Sequence, residues 1–159
     1  MEANERLREI RERLRLSPAE AAERTGLPRM ALFDLEAYPE EAEKVATLDG
    51  LFHVCRGYGI RPAEIFQDAA KGSEGQKGEP ERLAQALKDL AAQEGKSLSE
   101  LDEELDFFIE PLVRNPMLYY ECGVEHLRTT CAMVGWDWLA CLEHWFDRWQ
   151  NAEGARDPK

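Results

Sequence analysis

The part of the chain that most constrains its fold is residues 16–36, LSPAEAAERTGLPRMALFDLE. Ser17 is a favourable helix N-cap, and Glu20 three residues later can bond back to the Ser17 backbone, which completes a capping box. Gly26 can end that helix in the left-handed conformation, which glycine adopts without strain. Pro28 suits the start of a following helix because its missing N–H is not needed there. The stretch therefore predicts two short helices joined by a tight turn.

This stretch resembles the helix-turn-helix of the lambda-repressor, or Cro/C1-type (XRE), family. The matching positions are Leu16, Ser17, Glu20, Ala21, Ala22, Gly26, Leu32, Leu35 and Glu36. The flanks resemble the rest of that family's five-helix unit at Leu7, Ile10, residues 45–58, Gly59, Ile60, Pro62 and Phe66. The resemblance covers residues 4–66. It implies a DNA-binding transcriptional regulator whose third helix enters the major groove.

A second, degenerate copy of the same unit is predicted in the C-terminal half. Ser97 lies 80 residues after Ser17, and the later matching positions recur at a shift of 76. Such self-similarity is typical of an internal repeat. Asp106 replaces the turn glycine, and Pro111 falls inside the expected third helix, which must therefore start later or be shorter. The alternative is an unrelated helical bundle whose apolar spacings coincide.

The sequence thus predicts an all-α fold of two five-helix units in tandem, followed by an aromatic helix. Residues 71–79, KGSEGQKGE, are rich in glycine and charge and have no hydrophobic periodicity, so they predict a flexible linker. This linker would separate a first unit at residues 1–70 from the degenerate unit at residues 80–150. Residues 151–159 are predicted to form a disordered tail.

The predicted last helix carries an apolar stripe of large side chains. Trp138, Leu142, Trp145 and Trp149 recur at intervals of four, three and four residues. Tryptophan is enriched at protein interfaces, and lambda-like units often dimerise, so the stripe is a candidate homo-oligomer interface. The alternative is that it packs back on its own domain.

The charge balance argues against a simple nucleic-acid-binding role. The chain has 32 acidic and 20 basic residues and a net charge of −12, and neither half is basic. Proteins that bind nucleic acid normally meet its phosphates with a basic face. The acidity could also serve only to keep the protein soluble.

The sequence predicts a cytoplasmic protein without a membrane partner. The N-terminus, MEANERLREIRERL, is typical of a charged helix rather than a signal peptide. Four cysteines without a secretory signal favour reduced thiols. There is no apolar run long enough to span a bilayer.

The resemblance places Arg29, Met30, Phe33 and Asp34 on the groove-facing side of the third helix, with Tyr38 just beyond it. Arg29 suits a guanine or a phosphate. Met30 and Phe33 offer little to DNA beyond contact with a thymine methyl, and Asp34 would repel phosphate. These residues are better suited to a protein partner, and the free carboxylates of Asp34 and Glu36 would favour a basic one.

Two further groups of basic side chains bear on DNA binding. The arginines of the first helix alternate with glutamates at helical spacing and are predicted to pair as Glu5–Arg8, Glu9–Arg13 and Glu12–Arg15. In the second unit, Arg114 and Asn115 lie near the expected recognition helix, but acids surround them. Neither the arginines of the first helix nor Arg114 and Asn115 therefore predict sequence-specific contacts with DNA bases.

One weak metal-binding pattern is present. Cys122 and His126 are four residues apart, and Cys141 and His144 are three apart, so together they could form a Cys2His2 zinc site. The more common interpretation is that the cysteines are small core residues. No phosphate-binding loop or catalytic motif is present in the sequence, so we expect neither an enzyme nor a cofactor.

These observations favour a non-enzymatic regulator or adaptor that acts mainly through protein–protein contacts and forms a homo-oligomer. The alternative, which the family resemblance implies, is a DNA-binding transcriptional regulator of the Cro/C1 type.

Overall fold

The computed structural model describes residues 1–66, 76–106 and 108–156, with side chains up to residue 152. Within these ranges every regular element is a helix, so the prediction of an all-α fold is confirmed. The first half contains α1 (Ala3–Arg13), α2 (Pro18–Thr25), α3 (Arg29–Ala37), a π-helical turn (Glu41–Val45), α4 (Leu48–Tyr58) and α5 (Pro62–Ile65). The second half contains α6 (Pro80–Gln93), α7 (Leu98–Leu105), α8 (Glu110–Arg114), a 3-10 turn (Pro116–Glu121), α9 (Val124–Val134) and α10 (Trp138–Arg156).

The boundaries of α2 follow the predicted capping signals. The Ser17 hydroxyl accepts from the Glu20 backbone N–H at 3.1 Å, and the Glu20 carboxylate accepts from the Ser17 N–H at 3.0 Å. Gly26 ends the helix at φ 78°. The chain then passes through extended Pro28 into α3. The predicted helix, turn and second helix are therefore confirmed.

The second half repeats these local features at the predicted spacing. Ser97 and Glu100 form the same reciprocal capping box at the start of α7. Asp106 ends α7 in the left-handed region at φ 53°, as Gly26 does for α2. Aspartate tolerates this conformation better than most residues because its short polar side chain can bond locally. The local backbone at both ends of α7 thus follows that of α2.

The two halves differ most at α8, which corresponds in order to α3. α8 has only five residues and carries Pro111 in its first turn, where proline is tolerated, so the helix after α7 is short, as Pro111 led us to expect. Asp102 caps α8 by accepting from the backbone N–H groups of Ile109 at 2.7 Å and Glu110 at 3.0 Å. The chain then turns through the 3-10 segment into α9.

Both halves contribute to one continuous hydrophobic core, although the sequence predicted two separate units. The ring of Phe52 on α4 lies 5.4 Å from that of Phe146 and 5.7 Å from that of Trp149, both on α10. At the start of α4, the backbone N–H of Leu48 donates to the Cys122 carbonyl at 2.8 Å. Since α10 packs on α4, α5 and α9, it joins the halves.

The tryptophan stripe lies inside the molecule and is not an exposed face. Trp145 is fully buried, and Leu142 and Trp149 are also buried. Trp138 is half-buried beneath the Arg128 guanidinium, which lies 4.5 Å from its ring. The rings of Trp149 and Trp138 contact Phe52 and Phe66 of the first half, whereas Trp145 packs against Tyr119 of the second half. The stripe therefore completes the core of this chain and cannot also serve as an exposed interface between copies.

Polar contacts reinforce the junction between the halves. Arg61, just before α5, contacts Glu143 at 3.0 Å and Asp147 at 2.6 Å on α10. The Trp149 indole donates to Asp49 on α4 at 2.7 Å. Hydrogen bonding to these carboxylates, Asp147 above all, raises the pKa of Arg61.

The predicted linker and tail are more ordered than expected where the structure describes them. Gln76 accepts from the Asp137 backbone N–H at 2.8 Å, and Gly78 accepts from the Trp145 indole at 2.7 Å. The end of the linker is thus held against the second half, while its residues 71–75 lie outside the described residues. α10 continues to Arg156, well into the predicted tail, of which residues 157–159 are also outside.

None of the helices in the described ranges combines the length and apolar character that crossing a membrane requires.

Candidate functional site

The outer face of α3 exposes a group of apolar side chains. Met30 is 67% exposed, Phe33 is 59% exposed, and Tyr38, which caps the helix, is 54% exposed. The opposite face buries Leu32 and Leu35 in the core. This separation follows from helical spacing, since residues three apart share a face. We call Met30, Phe33 and Tyr38 the α3 patch. The sequence placed Met30 and Phe33 on this side of the helix and Tyr38 just beyond it.

A groove of about 220 Å³ runs beside the α3 patch, between α1, α2 and α3. Its apolar surface comes from Pro18, Ala21, Leu32, Phe33 and Ala37. The small side chain of Ala21 on α2 allows α3 to pack closely, and Phe33 of α3 lies at the edge of the groove. The groove is therefore a concave apolar site in direct continuity with the patch.

The charge around this groove differs from the prediction. The carboxylate of Glu36 is held by Arg11, with Nε to Oε2 at 2.7 Å and Nη2 to Oε1 at 3.0 Å. This hydrogen bonding raises the pKa of Arg11. Arg8 donates to the Glu36 backbone carbonyl at 3.0 Å. Because its charge is already neutralised, Glu36 is not free to select a basic partner, and the rim of the groove is formed by Arg8 and Arg29 instead.

The predicted ion pairs along α1 do not form within the described residues. Arg8 and Arg11 instead reach across to the C-terminal end of α3, where Arg8 donates to the Glu36 carbonyl and Arg11 pairs with the Glu36 carboxylate. Cations are favoured there by the negative end of the helix dipole. The expectation that α1 forms a fully paired, solvated face is therefore wrong. In the described part of the first half, exposed arginines without an ion pair include Arg13, Arg15, Arg24 and Arg29.

The second half offers less to a ligand at the corresponding position. Arg114 is exposed but lies 3.2 Å from Glu110 within α8. Asn115 ends α8 and is also exposed. A five-residue helix cannot present an extended reading face, so these two residues do not form a second copy of the α3 surface.

The four candidate zinc ligands are engaged separately. The sulfur of Cys141 lies 3.9 Å from that of Cys131, and His144 contacts Glu79 at 3.1 Å. The half-buried His126 ring lies 6.5 Å from Phe108 in a stacked arrangement, and Cys122 ends the 3-10 turn. In the part of the chain that the structure describes, no three or more His, Cys, Asp or Glu residues are placed so that they could hold a metal ion.

Sequence reasoning missed a second exposed apolar site, at the corner between α7 and α8. Phe108 is 69% exposed, and Leu105 is partly exposed beside it. Glu103 and Asp106 are exposed in the same segment. The signal was present as acids alternating with apolar residues in SELDEELDFFIE, but helical periodicity alone did not indicate which of them face outward.

No family model, curated protein or solved structure matches the chain. The resemblance to lambda-repressor-like proteins therefore rests on the residue pattern of the sequence alone.

Proposed function

We propose that this protein is a non-enzymatic regulator or adaptor in which a lambda-repressor-like helix-turn-helix presents α3 to a protein partner. The α3 patch is the observation that carries the proposal. Exposed aromatic and methionine side chains beside an apolar groove are typical of helix surfaces that bind proteins. Direct base reading would need polar side chains at the same positions.

The helical order supports the proposed family. α1 to α5 follow the order of a five-helix repressor unit, and α2 and α3 are joined by the tight Gly26 turn. The repeated capping boxes and left-handed helix ends support a degenerate second unit in the C-terminal half. On this interpretation only the first unit keeps a recognition helix, since α8 is too short.

DNA binding remains the second candidate, and one observation favours it. Arg13, Arg15, Arg24 and Arg29 are exposed and without ion pairs among the described residues, so they could contact phosphates. Against this stand the net charge of −12 and the exposed side chains of Met30 and Phe33, which make no favourable contact with a phosphate.

Titration of the purified protein against random and genomic duplex DNA at low and moderate salt separates the two functions. We expect at most weak binding that does not change on Arg29→Ala. If DNA is the true ligand, four phosphate contacts would give a slope of log affinity against log salt of about −4. Tight binding with such a slope, abolished by Arg29→Ala, would reject the adaptor proposal.

A second experiment tests the protein contact directly. A photo-crosslinking amino acid replaces Phe33 in the full chain expressed in cells, and a matched variant carries it at Met117, which is exposed on the 3-10 turn away from α3. We expect crosslinks to a discrete polypeptide from position 33 and not from position 117. Crosslinks to nucleic acid from position 33 would contradict the proposal.

A further inference from the structure

The groove beside the α3 patch has the size of a receptor for a single large side chain. Its volume of about 220 Å³ lies below the range of roughly 300–1,000 Å³ that is typical of small-molecule sites. The exposed ring of Phe33 forms part of its lining, so the groove is accessible from solvent. An aromatic side chain projecting from another polypeptide could fill it, as anchor residues do at protein interfaces.

The rim of the groove specifies the charge of the occupant. Arg29 has no ion pair among the described residues, and Arg8 donates only to a neutral carbonyl. Glu36 is neutralised by Arg11. The apolar groove is thus bordered by two guanidinium groups without a carboxylate partner, so its complement is an aromatic residue flanked by acids.

The chain carries such a complement on its own surface. Phe108 projects into solvent at the corner between α7 and α8, beside exposed Asp106 and Glu103. No lysine or arginine occurs in the sequence from residue 97 to residue 113. Glu104 and Glu110 of this segment pair with Lys96 and Arg114, which flank it. Glu103 and Asp106 form no ion pair among the described residues, so the corner combines an exposed aromatic ring with two unpaired carboxylates.

We propose that two copies of this chain associate reciprocally, with Phe108 of each copy seated in the groove of the other. Asp106 and Glu103 then face Arg29 and Arg8 across each contact. The arrangement is a two-fold dimer with two identical contacts, because the same pair of surfaces is used in both directions. Repulsion between chains of charge −12 acts mainly at long range and is screened beyond about 8 Å at physiological salt.

This inference rests on the proposed function, since it assigns a polypeptide to the surface of α3. It differs in naming the occupant as a second copy of this chain. It also gives homo-oligomerisation a surface other than the buried tryptophan stripe.

Analytical ultracentrifugation of the full chain across a wide concentration range tests the proposal. We expect a monomer–dimer equilibrium. Phe108→Ser should raise the dimer dissociation constant by about 30-fold for each groove that it leaves empty, as the loss of an anchor residue does. Met117→Ser, which removes a comparably exposed apolar side chain elsewhere, should leave the equilibrium unchanged. A chain that stays monomeric, or a dimer unaffected by Phe108→Ser, overturns the proposal.

A charge exchange provides the sharper test. Arg29→Glu and Asp106→Arg each place like charges at both contacts of a dimer, so each variant alone should be monomeric. Mixed together, the two variants restore opposite charges at both contacts and should form a heterodimer. The chain already accommodates arginine in the left-handed conformation of Asp106, at Arg15 with φ 57°. A mixture that stays monomeric overturns the reciprocal arrangement.

The two proposals fail in different ways. A monomeric chain that still crosslinks from position 33 to another polypeptide rejects self-association and leaves the adaptor function standing. Tight DNA binding that Arg29→Ala abolishes rejects the adaptor function itself.

Discussion

Trp145→Ala is expected to destabilise the monomer, and its effect can be estimated from the structure. Trp145 is fully buried on α10, and its ring packs edge-on against Tyr119 at 5.2 Å between centroids. Its indole N–H also donates to the carbonyl of buried Gly78 at 2.7 Å. The substitution therefore removes a large core side chain and the donor that satisfies a buried carbonyl.

The expected decrease in stability follows from these two effects. Replacing a buried aromatic residue with alanine typically costs about 3–5 kcal/mol of unfolding free energy. For a protein of this size each kcal/mol lowers the melting temperature by roughly 2–4 °C, so we expect a fall of about 6–20 °C. Trp145→Phe keeps most of the packing but leaves the Gly78 carbonyl without its donor, for an expected cost of about 1–3 kcal/mol.

Thermal and urea unfolding, followed by near-ultraviolet circular dichroism at low protein concentration, would measure both variants. Val45→Ala is a suitable control because Val45 is exposed, and such substitutions usually change stability by less than about 0.5 kcal/mol. An unchanged melting temperature with a lower molecular mass for Trp145→Ala would refute the reasoning. It would mean that the stripe is an intermolecular surface after all.

Three other predictions concern packing, thiol accessibility and pH. Gly57→Ala should destabilise the protein by about 1–3 kcal/mol, because the new Cβ would lie only 2.8 Å from a backbone atom of α2. Gly50→Ala lies on the same helix, but the atom nearest to its Cβ would be 3.3 Å away, so this variant should be nearly neutral. Urea unfolding of the two variants would show the difference. Cys122 should be the first of the four cysteines to react with a thiol reagent, because the other three are buried, and peptide mapping after brief labelling would identify it. The hydrogen bond from Arg61 lowers the pKa of Asp147 in the folded protein. The stabilisation that this hydrogen bond provides is therefore present above the ordinary aspartate pKa of about 3.9 and is lost as the pH falls through the lower folded-state pKa. Arg61→Gln should flatten the stability profile in that acidic range, and an unchanged profile in pH-dependent urea unfolding would contradict this assignment.

The helices of the first half could be predicted because local signals fix them. The capping box of Ser17 and the turn at Gly26 depend only on residues within a few positions, and the structure has both. The exposure of Met30 and Phe33 followed from the same helical spacing. Local periodicity determines which side of a helix faces inward, and this was enough to locate the α3 patch.

The long-range contacts could not be predicted in the same way. Glu36 was expected to be free, but Arg11, 25 residues away, holds it in an ion pair. The stripe around Trp145 was correctly predicted to be apolar. Its helical spacing, however, does not show whether the stripe packs against this chain or against a second copy. Both outcomes depend on how α1 and α10 pack against the rest of the chain, and helical periodicity does not specify that packing.

The packing of α10 suggests why the second half lacks a long third helix. A unit of about 66 residues buries a limited share of its surface and is only marginally stable alone. α10 adds Phe146 and Trp149 to the core around Phe52, and the Arg61 contacts fasten it there. The second half therefore covers apolar surface of α4 and α5 that the first half alone would leave exposed. On the proposed interpretation of the second half as a degenerate unit, this packing needs α9 and α10 but no exposed recognition helix, and the five-residue α8 is consistent with that.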